Sequence, residues 1–98
     1  MDHLNTKSIE RLFKVILRLE SLEECKNFFE DVCTIKEVID MAQRLDVAVL
    51  LENKLSYQDI SEQTKVSSAT ISRVNRCLNY GNGGYRTAIE KMPREERD

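Results

Sequence analysis

Apolar residues recur at steps of three and four along most of this chain, which is the repeat of an amphipathic helix rather than the alternation of a strand. A single proline and three glycines leave few places for the turns of a many-stranded sheet. Over residues 7–19 the repeat predicts a first helix, whose apolar face comprises Ile9, Leu12, Phe13, Ile16 and Leu17. The sequence therefore predicts an all-α fold, a helical bundle of about six helices.

Two capping signatures locate the next helices. Ser21 is followed at three residues by Glu24, and Thr34 by Glu37, which is the spacing of a capping box. The first signature predicts a short helix that buries Leu22, Phe28, Phe29 and Val32. The second predicts the longest helix, apolar over much of its circumference and ending at Asn53 in a left-handed conformation. So wide an apolar surface indicates that this helix lies in the middle of a core, which a partner subunit completes.

Residues 56–78 have the spacing of a helix-turn-helix. Ser56 and Ser67 are the expected N-terminal caps of its two short helices. Lys65 occupies the turn position where many such motifs use glycine to reach a left-handed backbone, at a cost of about 1 kcal/mol for lysine. The facing sides of the two helices and the plug of the turn comprise Ile60, Ser61, Val66, Ile71 and Val74.

The outer side of the second short helix carries short, polar or basic residues. Small side chains let a helix enter the major groove, Ser and Thr can bond phosphates or base edges, and Arg reads guanine. The free N–H groups at a helix N-terminus also attract a phosphate. We therefore predict binding to double-stranded DNA through Ser67, Ser68, Ala69, Thr70, Ser72, Arg73 and Arg76.

The charge distribution supports this prediction although the net charge is -2. Residues 1–55 hold eight basic and eleven acidic side chains, and residues 56–98 hold seven and six. Between Glu62 and Glu90 there is no acidic residue, whereas Lys65, Arg73, Arg76 and Arg86 all lie there. A local positive face can thus exist on an acidic protein. Arg76 and Arg86 are the expected phosphate contacts.

The remaining segments complete the predicted organisation. A C-terminal helix is expected over residues 85–92, and the charged tail from Pro93 onward is expected to be poorly ordered. Tyr80 and Tyr85 flank a glycine-rich turn and are expected to pack it down. Residues 1–98 are expected to form one domain, with dimerisation helices in residues 1–53.

Catalytic and metal-binding constellations are not found in the sequence. The three cysteines have no CxxC spacing, the single histidine is His3, and no nucleophile stands at motif spacing from a base. No apolar run approaches the ~20 residues that span a bilayer. We expect no enzyme, no metal site and no membrane partner, and a cytoplasmic location.

Three segments resemble the bacterial Trp repressor superfamily: Ala42-Gln43-Arg44-Leu45, the stretch from Leu55 to Ile60, and the stretch from Ala69 to Arg76. The continuation Cys77-Leu78-Asn79-Tyr80-Gly81 is similar to its Trp-repressor-like YerC/YecD branch. The resemblance implies an intertwined, all-helical homodimer of the Trp repressor type. It also implies a transcriptional regulator, expected to be a repressor, that binds a near-palindromic operator.

The same resemblance implies where a small-molecule effector would bind. In Trp repressors the corepressor indole lies between two arginines that Arg44 and Arg73 match, and Thr34 matches a third residue near the ligand. Val74 stands where Trp repressors carry glycine, and a valine would intrude on the space for an aromatic ring. Cys77 stands where they carry serine. The sequence therefore leaves open whether tryptophan or a similar corepressor binds, and it predicts no other cofactor.

Two alternatives also stay open. The helices could form a protein–protein interaction module without DNA binding, as the overall acidic charge would suit. Arg44 could pair with Asp40 or Asp46 on its own helix instead of contacting an effector.

Overall fold

The computed structural model describes residues 6–97, and it confirms the all-α fold class. No strand occurs within that range, and none of its helices is long and apolar enough to cross a membrane. His3 lies outside the described residues. The helices are α1 (Lys7–Leu17), α2 (Leu22–Val32), α3 (Ile35–Glu52), α4 (Tyr57–Thr64), α5 (Ser68–Tyr80) and α6 (Gly84–Glu90), with a 3₁₀ turn at Arg94–Glu96.

Side-chain caps begin α2 and α3, as their sequences predict. At α3 the capping box is complete: the Glu37 N–H donates to the Thr34 hydroxyl at 3.1 Å, and the Thr34 N–H donates to the Glu37 carboxylate at 2.7 Å. At α2 the Glu24 N–H donates to Ser21 at 3.0 Å, but the Glu24 carboxylate accepts from the Glu20 N–H at 3.0 Å. The predicted capping box at α2 is therefore only half formed, because the Glu24 carboxylate bonds to the N–H of Glu20 and not to that of the cap residue Ser21.

The chain divides into two compact units, of which the first ends at Val38. Within residues 6–38 neither α1 nor α2 buries a side chain. Phe28 and Phe29 are half-buried and meet edge to face, with ring centroids 5.6 Å apart. The prediction that α2 buries Leu22 and Val32 is wrong for the single chain, because both are exposed. A single chain supplies too little apolar surface to cover these faces.

The second unit, from Ile39 onward, contains a packed core. Val47, Ala48 and Val49 are consecutive and all buried. Successive residues of an α-helix differ by about 100° around the axis, so this end of α3 is covered over much of its circumference, as predicted. The core cluster comprises Val47, Ala48, Val49, Ile60, Val66, Ile71, Val74 and Ile89.

The left-handed residue that follows α3 lies one position later than predicted. The Asn53 N–H still bonds to the Val49 carbonyl at 3.0 Å, so the left-handed residue is Lys54, with φ 68°. The Lys54 N–H donates to the Leu51 carbonyl at 3.0 Å, and the Leu55 N–H to the Leu50 carbonyl at 3.2 Å. This pair of bonds is a Schellman motif, which satisfies carbonyls that a helix end would leave free.

The C-terminal segment is more ordered than predicted. α6 spans Gly84–Glu90 in place of the predicted 85–92, and the 3₁₀ turn follows Pro93. The Arg97 guanidinium donates to the Met92 carbonyl at 2.9 Å, and the Asn53 side chain donates to the Arg97 carbonyl at 2.7 Å. Arg97 thereby supplies hydrogen bonds that local sequence patterns do not reveal.

The capping box of α3 predicts a pH effect. The backbone N–H of Thr34, and secondly its hydroxyl, hold the pKa of Glu37 below its ordinary value of 4.5. Because the folded-state pKa is lowered, the contribution of this carboxylate to stability is present above the unfolded-state pKa and is lost as the pH falls through the folded-state pKa. In Thr34→Val we expect the pKa of Glu37 to rise only part of the way toward 4.5, because the N–H of residue 34 still donates to the carboxylate.

An NMR titration of the Glu37 side-chain carboxyl measures this shift. Thr6→Val is the matched control, since Thr6 caps α1 and accepts from the Ile9 N–H. It should leave the pKa of Glu37 unchanged. An identical titration curve in Thr34→Val would contradict the assignment of the cap.

Candidate nucleic-acid interface

α4 and α5 pack on each other and are joined by a turn of three residues, Lys65 to Ser67. α4 begins at the Ser56 hydroxyl, which accepts from the Asp59 N–H at 3.1 Å. Lys65 has φ 63° and donates its N–H to the Ser61 carbonyl at 2.8 Å. The left-handed lysine is therefore found where the sequence predicts it, and the two helices have the helix-turn-helix arrangement.

The inside of the turn is filled by aliphatic side chains, as predicted. Ile60 and Ile71 have no exposed surface, and Val66 belongs to the same buried cluster. The Thr64 hydroxyl donates to the Ile60 carbonyl at 2.7 Å and accepts from the Val66 N–H at 3.2 Å. Dense packing and satisfied polar groups together fix the angle between α4 and α5.

The N-terminus of α5 is capped by Ser67. Its hydroxyl accepts from the Thr70 N–H at 3.3 Å and donates to the Thr70 hydroxyl at 3.2 Å. In an α-helix the next two N–H groups, those of Ser68 and Ala69, have no partner within the helix. The start of α5 is exposed rather than packed inward, so these donors face solvent.

Six of the seven predicted DNA-binding side chains are exposed, and Thr70 is half-buried beside its cap. At about 100° per residue, Ala69, Ser72, Arg73 and Arg76 share a sector of α5 opposite its buried residues. No residue of α5 is acidic. We call the exposed set the outer face of α5: Ser67, Ser68, Ala69, Ser72, Arg73 and Arg76. Their contact with DNA stays a prediction.

Two sequence predictions about the neighbourhood of α5 are wrong. Tyr80 is 87% exposed and does not pack the glycine turn, whereas Tyr85 does pack against the core. Arg86 is held by protein acceptors instead of standing free for a phosphate: it donates to the Leu78 carbonyl at 3.1 Å and forms an ion pair with Glu52. Gly81, the residue that follows α5, must be glycine because a Cβ there would lie 2.4 Å from the Cys77 carbonyl oxygen.

Of the three residues matched to an effector site, two belong to α3 or its N-terminal cap and one to α5. The Thr34 hydroxyl is engaged as the cap of α3, Arg44 is half-buried on α3, and Arg73 is exposed on α5. Val74, at 1% exposed, belongs to the core. Within residues 6–97 no group of His, Cys, Asp and Glu could hold a metal ion. The effector role stays a prediction.

An open cleft of about 470 Å³ lies between α3, α5 and α6, and its lining is mainly apolar. Neither Arg44 nor Arg73 lines it. The lining residues are Leu45, Cys77, Gly81, Asn82, Gly84, Tyr85 and Ala88.

Comparison with known sequences gives two matches that cover nearly the whole chain. The family model described as Trp repressor protein matches residues 7–93. The uncharacterised protein YerC of Bacillus subtilis (strain 168) is 47% identical over 98 residues, which are 100% of this chain and 94% of that protein.

Two solved structures have the same fold. A TrpR-like protein from Eubacterium eligens ATCC 27750 superposes with a TM-score of 0.90 at 50% identity, covering 93% of this chain and 94% of the other. A candidate Trp repressor from Staphylococcus aureus superposes with a TM-score of 0.89 at 40% identity, covering 93% of this chain and 91% of the other.

The cap of α5 predicts a stability effect. Ser67→Ala removes the acceptor of the Thr70 N–H, and we expect the free energy of unfolding to fall by about 1 kcal/mol. Urea unfolding followed by circular dichroism measures it. Ser68→Ala is the matched control, because Ser68 lies inside the first turn and should change stability by less than about 0.5 kcal/mol. Equal effects of the two substitutions would contradict the capping role of Ser67.

Proposed function

Because this chain belongs to the Trp repressor family, we propose that it is a sequence-specific DNA-binding transcriptional regulator that reads the major groove with α5. The outer face of α5 carries this proposal. It is exposed and free of acidic side chains, while the opposite face of the same helix is fixed in the core. A helix built in this way can enter a groove without losing its own support.

The residues of the outer face have different chemical roles in this proposal. Arg73 and Arg76 supply planar guanidinium groups, which bond the edge of guanine or a phosphate. Ala69 and Ser72 are small enough for close approach of the helix to the bases. The free N–H groups at the start of α5 bind a backbone phosphate. Thr70 adds its partly exposed side chain at the edge of the contact.

We also propose that the functional form is a homodimer. Leu17 is 83% exposed and Leu22 is 79% exposed, and α1 and α2 bury nothing in the single chain. Large apolar side chains exposed in such number indicate an interaction site. A second copy would cover the exposed residues Leu12, Phe13, Leu17, Leu22, Val32 and Ile35.

The dimer sets the form of the DNA target. Two α5 helices related by a twofold axis would enter successive major grooves about 34 Å apart, so the operator is near-palindromic. The protein would act by binding rather than by catalysis, in the cytoplasm where the DNA is, and as a repressor when its operator overlaps a promoter. Arg44, Arg73 and Thr34 are the residues to which a tryptophan-like corepressor would bind if one is used.

Selection of bound sites from a random duplex pool tests DNA recognition. We expect an enriched near-palindromic sequence whose affinity falls steeply between 50 and 200 mM salt, in proportion to the phosphates contacted, by roughly 10³–10⁵ for six to ten contacts. Arg73→Ala should cost about 1–3 kcal/mol of binding free energy. Ser72→Glu should abolish binding, because it places a carboxylate on the outer face.

Ser8→Glu is the matched control, since Ser8 is exposed and lies on α1. It should leave DNA binding unchanged. Repeating the titration with added tryptophan shows whether the affinity depends on an effector. If an intact dimer selects no sequence, the chain is better described as a helical protein–protein interaction module.

Sedimentation equilibrium tests the homodimer. Leu17→Gln places an amide on the exposed apolar face of α1 and should weaken dimerisation, by about 1–3 kcal/mol of lost apolar burial. Arg11→Gln on the polar side of α1 is the matched control and should leave the dimer intact. A wild-type chain that stays monomeric at micromolar concentration would rule out the dimer.

A further inference from the structure

Arg86, on α6, is bonded to the ends of two other helices. Its Nε donates to the Leu78 carbonyl at 3.1 Å, and its Nη2 donates to the Asn79 side-chain oxygen at 3.0 Å. Its Nη1 forms a hydrogen-bonded ion pair with Glu52. Leu78 and Asn79 belong to the last turn of α5, and Glu52 is the last residue of α3. One side chain therefore joins the C-terminal ends of α3 and α5 to α6.

The chemistry of arginine suits this position. The last carbonyls of a helix have no intrahelical donor, and the partial negative charge at a helix C-terminus favours a cation. The guanidinium is planar, so its three donors fix direction as well as distance, which the flexible ammonium of lysine does not. Asn79 is itself held, because its side-chain amide donates to the Asn75 carbonyl at 3.0 Å.

We propose that Arg86 is a positioning residue: it does not touch DNA but sets the direction in which α5 projects, through Glu52, Asn79 and the Leu78 carbonyl. This inference rests on the proposed function of α5. The distance from Leu78 to Ser68 along the helix is about 15 Å. A tilt of about 5° at the C-terminal end would then move the start of the outer face by about 1 Å, which is enough to break hydrogen bonds to bases.

Arg86→Lys separates positioning from direct phosphate contact. The substitution keeps the positive charge but loses the planar guanidinium and its directed hydrogen bonds, so we expect about a tenfold rise in Kd for the selected duplex. If Arg86 instead bound a phosphate directly, lysine would keep that contact as a point charge, and the Kd would stay near the wild-type value. A substitution that only lowered stability would lower the Tm and leave the Kd of the folded dimer unchanged.

Glu52→Gln should change the affinity for DNA in opposite directions under the two explanations, long-range electrostatics and positioning of Arg86. Removing a negative charge strengthens binding to DNA if only long-range electrostatics matters. If Glu52 orients Arg86, the same substitution weakens binding. Glu90→Gln, at the end of α6, is the control with the same charge change and should not weaken it.

Residual dipolar couplings of backbone amides, measured without DNA, complete the test. The orientation of α5 relative to the second half of α3 should change in Arg86→Lys. Unchanged orientation, or an unchanged Kd in both Arg86→Lys and Glu52→Gln, overturns the proposal. If wild type binds no DNA but the orientation changes, the proposed function fails and the positioning role of Arg86 stands.

Discussion

The burial of Val66 and its neighbours between α3, α4 and α5 is the interaction on which the rest of the structure depends. Full burial of one such aliphatic side chain contributes about 1.5–3 kcal/mol. Four of them are almost completely enclosed: Val47, Ile60, Ile71 and Val74. These contacts hold α5 from one side only. The other side of α5, apart from the capping residue Ser67, is exposed in the single chain, so its composition can be set by what it binds.

Burial is distributed unevenly between the two compact units. The second unit has a continuous core, whereas α1 and α2 in the first have apolar faces and no buried residue. A chain of 98 residues encloses only about two-thirds of its unfolded surface when alone. In the proposed dimer, the free energy that folds the first unit would therefore come from association. The stability of the protein and the fraction of it in the DNA-binding form would then both rise with protein concentration.

Local signals in the sequence predict much of this structure, since periodicity and capping residues act within a single helical turn. The caps Ser56 and Ser67 and the left-handed Lys65 are found as predicted. Properties set by distant residues are not predicted. Arg86 was expected at a phosphate because no acidic residue lies between Glu62 and Glu90. Its partner Glu52 lies 34 residues away in the chain, so local patterns could not reveal the ion pair. The exposure of Tyr80 likewise depends on packing that periodicity does not describe. The outer face of α5 was predictable because it is the complement of a periodic core.

Lys54 and Lys65 both have positive φ, where an L side chain is disfavoured by about 1–2 kcal/mol relative to the right-handed conformation. Glycine would relieve that steric cost at either helix end, at the expense of a freer unfolded chain. We therefore expect glycine at either position to raise thermal stability only where the relief of steric strain exceeds the entropy cost of the freer unfolded chain. The two lysines instead place a positive charge at the end of α3 and at the end of α4, in a protein whose net charge is -2.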